Sequence, residues 1–138
     1  MGLDMNVYKT RFKPSKEVDF TEEIYPKGED GYADYNNPVA DVEELAYWRK
    51  HPDLHGWMEQ LYRRKGGTEK SFNGDTVLLT EKDIDDLKIT VLTGSLPSTS
   101  GFFFGDSKQE INFADLEFIE KAKQAIKEGY TLYYDSSW

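Results

Sequence analysis

Both histidines, two of the three tryptophans and an Arg-Lys pair fall within the stretch Tyr47 to Met58, and Pro52 divides it. That proline is the strongest constraint in the chain. The residue before a proline avoids the helical region, whereas proline itself suits the first turn of a new helix. Whatever ends at His51 therefore cannot run straight on. The spacing reads as the joint between two short helices, with the rest of the chain packed around it.

The helix before the joint is expected over Val39 to Lys50. At about 100° per residue, Val42, Leu45 and Ala46 make one face, and Arg49 falls on that same face. A buried arginine needs a counter-charge, supplied either by an internal carboxylate such as Asp4 or by a bound anion. The helix after the joint is expected over Pro52 to Lys65, with Leu54, Trp57, Met58, Leu61 and Tyr62 inward. Arg63-Arg64-Lys65 suits the negative end of its dipole, and Gly66-Gly67 is its stop.

Elsewhere the pattern changes period. Leu3, Met5 and Val7 alternate with Asp4, Asn6 and Tyr8, the two-residue period of a strand with one buried face. Pro14 to Pro38 is a polar, acidic excursion, read as a surface segment or flap that Phe20, Ile24 and Tyr25 could pin to the body. Ser71 to Leu79 reads as a turn and strand, with Asn73-Gly74 as the turn. Thr80 and Asp83 form a capping-box variant that opens a third helix, with Ile84, Leu87, Val91 and Leu92 inward and Gly94 after its end. A fourth helix is expected from Asn112 to about Glu128, and a last strand over Tyr130 to Tyr134. The expected architecture is one α+β domain: about four helices on a small sheet that includes the N- and C-terminal strands.

Four pieces occur in an order that is familiar. They are Met1-Gly2-Leu3-Asp4-Met5, then Glu44 to Lys50 with His55, then Leu96-Pro97 with Ser100-Gly101-Phe102-Phe103-Phe104-Gly105, and finally Tyr133-Tyr134-Asp135-Ser136-Ser137-Trp138. In this the chain resembles a family of uncharacterised small proteins carried by bacteriophages and prophages, over most of its length apart from Pro14 to Pro38. His55 matches the histidine of that pattern, whereas the His51-Pro52 step departs from it. The resemblance implies a phage context and no particular activity.

Composition narrows the chemistry. The net charge of −9 argues against a general affinity for nucleic acid or an anionic membrane, and leaves open a basic partner, including mimicry of a nucleic-acid surface. With no cysteine there is no disulfide framework, thiol nucleophile or cysteine metal site. No apolar run of membrane-spanning length or leader pattern is present, so a cytoplasmic protein is expected, and the phage resemblance implies a bacterial host cell around it. His51 and His55 are four apart, but Pro52 lies between them and no third ligand is near, so no metal and no cofactor is expected. Ser98, Ser100, Ser136 and Ser137 sit in no nucleophile-elbow pattern, and there is no phosphate-cradling glycine loop.

What remains is a binding constellation. Arg49 and His55 offer cationic or hydrogen-bonding groups, Trp48, Phe102, Phe103 and Trp138 offer flat apolar walls, and Ser100 lies on a hydroxyl-rich loop. Such a mixture suits a planar anionic, nucleotide-like ligand; the same groups could equally tie joint, loop and tail into one core. The leading expectation is an accessory protein that binds a host protein or sequesters such a ligand. The alternative is a hydrolase of phosphate-containing substrates, with His55 and Asp4 as the acid-base pair. Two arrangements separate the binding variants. Partner binding needs an exposed acidic flap or aromatic patch, and ligand sequestration needs a closed pocket around Arg49 and His55.

Overall fold

The computed structural model describes residues 2–97 and 113–138. Strands β1 (Asp4–Thr10), β2 (Val42–Arg49), β3 (Val77–Leu79) and β4 (Thr131–Ser137) form an antiparallel sheet in the order β2-β1-β4-β3. The two terminal strands are thus adjacent and central. Around them lie α1 (Thr21–Ile24), α2 (Pro52–Arg64), α3 (Glu81–Leu92) and α4 (Phe113–Lys127). The α+β expectation holds.

The alternation in β1 sets the layers. Leu3, Met5 and Val7 are fully buried on the inner face, against Leu54, Met58, Ile84, Ile119 and Tyr134. Asp4, Asn6 and Tyr8 point to the outer face. Helices α2 and α4 cover the inner face, and α3 packs against α4. The capping box at α3 forms as the sequence predicts: Asp83 N–H donates to Thr80 Oγ1 (3.2 Å) and Thr80 N–H to Asp83 Oδ2 (2.9 Å). Gly66 ends α2 at φ +101°, and Gly67 passes so close to the Tyr62 ring that an added Cβ would lie 2.3 Å from it.

One element differs in kind from its expectation, and the short helix α1 lies in the excursion, where none is expected. Residues 42–49 are strand β2 and not a helix. Tyr8 lies opposite Glu44 and Val7 opposite Ala46, so Leu45 is an extra residue at a β-bulge. The bulge shifts the two-residue period by one at mid-strand, which hides the alternation and leaves an apparent helical face of Val42, Leu45, Ala46 and Arg49. Pairing with the open edge of β1 then outweighs local propensity. The predicted strand at Ser71 to Leu79 is confined to Val77–Leu79, and the terminal strand runs further than predicted, to Ser137.

The acidic excursion is a cover over the outer face. Its first part runs along the free edge of β3: Leu78 N–H donates to Glu17 O, Asp19 N–H to Thr76 O, and Val18 bridges Val77. Asp19 sits at φ +53°, and both its carboxylate oxygens are 2.9 Å from the Tyr62 hydroxyl. Helix α1 then buries Phe20 and Ile24 completely against Tyr133, with Tyr8, Phe12, Tyr25, Val42 and Leu78 around them. Two of the three expected pinning residues therefore form a second, smaller core, and Tyr25 packs at its edge.

Candidate functional site

At the joint, Lys50 adopts φ +57° and donates its N–H to Leu3 O, a turn that carries the chain from the sheet edge to the inner face. His51 and Pro52 then open α2 as expected. His51 Nε2 lies 2.7 Å from Asp115 Oδ2, which ties the start of α2 to the first turn of α4. Asp115 is fully buried. Nothing in the sequence marks it, because it is one acidic residue at a helix start and its partner lies far away in the chain.

The sheet separates the predicted site residues. His55 faces the inner core, where Nδ1 and the Tyr134 hydroxyl share a hydrogen bond of 2.7 Å. Its ring lies 5.1 Å from that of Phe72 and 6.4 Å from that of Trp138. Burial lowers the His55 pKa to about 4, so the imidazole is neutral at pH 7. Trp138 donates its indole N–H to Phe72 O (3.2 Å), and Trp48 packs edge-on against Phe118 of α4 at 4.9 Å. Trp48, His55 and Trp138 are therefore all on the inner side.

Arg49 and Asp4 leave the sheet on the other side. They are cross-strand partners, with Arg49 Nε 4.0 Å from Asp4 Oδ1, and Tyr47 donates its hydroxyl to the same Asp4 oxygen. The internal carboxylate weighed for Arg49 is thus in place, although Arg49 is an exposed strand residue and not a buried helical one. Asp4 and His55 stand on opposite faces of the sheet. Ser100, Phe102 and Phe103 lie outside the described residues.

The outer face holds a group that the sequence reading passed over. In cross-strand register, Tyr8 lies between Glu44 and Tyr133, and Asn6 lies between Tyr47 and Asp135. The rings of Tyr8 and Tyr133 are 5.4 Å apart, and those of Tyr25 and Tyr35 in the cover 4.9 Å apart. Burial, then the charge of Asp135, pushes the Tyr8 phenol up to about 12. The same two causes, in the same order, raise Tyr35. Burial also pushes Asp135 up to about 6, with a further contribution from Asp75. The alternation of β1 already placed Tyr8 on this face; extending it to Tyr133 and Asp135 would have found the rest.

A groove of about 490 Å³ between α2 and α3 is lined by Trp57, Leu61, Arg64, Lys82 and Ile89. Lys65 also borders it, but its ammonium is held by Asp83 and Leu78 O. Among the described residues no cluster of three His, Asp or Glu is placed to hold a metal, and no helix is long and apolar enough to cross a membrane. The fold and these surfaces define an α+β domain with a covered sheet. The chain matches no protein-family model, no curated protein and no solved structure.

Proposed function

We propose that the protein acts by binding a basic protein surface through the cover and the outer face of the sheet. The phage resemblance makes that partner a host protein, a defence component among them, and the chain an accessory protein that interferes with it. One observation carries the reading: the face bearing the acidic cover also exposes its tyrosines, while the sheet separates Arg49 from His55. Tyr32, Tyr35 and Tyr47 are 76%, 64% and 52% exposed, and Glu29, Asp30 and Asp34 share the cover with the first two. Amphipathic rings amid a predominantly negative charge are the composition of a recognition surface for a basic partner. A net charge of −9 steers a basic partner towards it. Sequestration of a small anion would need a pocket uniting Arg49 with His55, and the α2–α3 groove is the other place with cations to offer.

The test is native mass spectrometry on protein gently purified from bacterial cells, alongside the triple variant Glu29→Gln, Asp30→Asn, Asp34→Asn. The proposal expects a host protein bound to the wild type and lost from the variant, with both folded by circular dichroism. A small-molecule adduct carried equally by both would overturn it in favour of ligand sequestration.

A further inference from the structure

We infer that the edge of the cover, where Tyr8 and Tyr35 meet Asp135, is an anchor site for one cationic side chain, arginine or lysine, of the protein partner. The inference rests on the reading above and adds the chemistry of the contact.

Asp135 is a partly buried carboxylate on β4, two residues from Tyr133 on the same face of the sheet. Among the described residues no lysine, arginine or histidine forms an ion pair with it. Its charge acts on the phenols of Tyr8, Tyr35, Tyr133 and Tyr134, Asp75 before β3 adds a second negative charge, and the Ser136 backbone N–H donates to it. Glu44 of β2 adds a second carboxylate beside Tyr8, held by the Asn6 side-chain amide. A carboxylate kept out of water without a counter-ion is unfavourable in the isolated chain, and a cation arriving from outside would relieve that.

The walls suit the same guest. Aromatic faces attract cations through the ring quadrupole, most of all where water is partly excluded. Tyr8 is partly buried, with its ring 5.4 Å from that of Tyr133, and Tyr35 is 64% exposed, so aromatic surface runs from the sheet face out to solvent. The chain makes the same contact elsewhere with its own residues: Arg11 Cζ lies 3.8 Å and Lys9 Nζ 4.5 Å from the centre of the Tyr130 ring. Those two cations are therefore engaged away from the site, and Arg49 is engaged with Asp4. At the cover's edge the carboxylate and rings are present, and the cation is left for the partner to bring.

The probe is n-butylguanidinium, followed by two-dimensional NMR of the full chain, with uncharged n-butylurea as the isosteric control. The expected result is saturable shifts at Tyr8, Tyr35 and Asp135 with a millimolar Kd, and no saturation with the urea. Asp135→Asn should weaken binding at least ten-fold. Tyr35→Ala, at an exposed position where truncation leaves the fold intact, should weaken it several-fold. No saturation, equal response to the urea, or wild-type affinity in Asp135→Asn would each overturn the site. If the guanidinium binds here but the acidic-cover triple variant keeps its host protein, the docking surface is wrong and the cation site stands. If the triple variant loses the host protein and no guanidinium binds, the reverse holds.

Discussion

The two faces of the sheet solve different problems. The inner face is dry: Leu3, Met5 and Val7 meet three helices, and its polar members are tied to partners, His55 to Tyr134 and His51 to Asp115. The outer face is half covered by a strap whose own core holds only Phe20, Ile24 and Tyr133 fully buried, and elsewhere it presents phenols and carboxylates. Burial of apolar area stabilises the first face. The second carries a cost in stability, because Asp135 is partly withdrawn from water and lies near Asp75.

Deleting side chains from each core is the largest test of that contrast. Leu54→Ala on the inner face should lower the unfolding free energy by about 2–5 kcal/mol, because the fully buried site cannot collapse onto the gap. Phe20→Ala removes a larger side chain, yet its main effect should be sub-global opening, with hydrogen exchange speeding up across residues 17–41 before the sheet yields. Equal loss of global stability in both variants would show that cover and body are one cooperative unit, and the contrast would fail.

Next in size is the histidine on the dry face. Its folded pKa, about 4, lies below the ordinary 6.5, so the unfolded chain takes up a proton that the native state refuses. The stability tied to the neutral ring is complete above pH 6.5 and is lost as pH falls towards 4. Relative to His55→Gln, the wild type should therefore lose about 2 kcal/mol between pH 7 and pH 5 in chemical unfolding, at roughly 1.4 kcal/mol per pH unit below 6.5. Parallel pH profiles for the two proteins would mean that the ring is solvated and the inner face wetter than described.

Asp135 carries the opposite sign. Its folded pKa of about 6 lies above 3.8, so above pH 6 its buried charge destabilises the native state, and protonation relieves this as pH falls towards 4. Asp135→Asn should raise stability by about 1–2 kcal/mol at pH 8, with the gain gone near pH 4. A more stable protein that binds cations worse is the outcome that separates a recognition carboxylate from a structural one. Destabilisation at pH 8 would mean that Asp135 holds the sheet together.

The sequence revealed the inner face better than the outer for a physical reason. Helix α2, the capping box at Thr80 and the alternation of β1 are local patterns, and each formed where local rules place it. Strand β2 was hidden because its period breaks at Leu45, and a bulge is visible only against its partner strand. Asp115 and Asp135 were missed because their roles come from residues distant in sequence, His51 for one and the phenols of three separate segments for the other. Of the predicted binding residues, Trp48, His55 and Trp138 do share one face. Arg49 is placed inward with Val42, Leu45 and Ala46 only when β2 is read as a helix.

Arg49 gives the smallest and most discriminating effect. It is more than half exposed and its ion pair with Asp4 is at the limit of contact, so Arg49→Ala should change stability by no more than about 0.5 kcal/mol. Its charge nevertheless sits on the face proposed to receive a basic partner, where it opposes that partner's approach. Removing it should raise the affinity for n-butylguanidinium at the Asp135 site roughly two-fold at low ionic strength, and less at physiological salt, where such distances are screened. A loss of affinity instead would mean that Arg49 helps to shape the guanidinium site and does not oppose its guest.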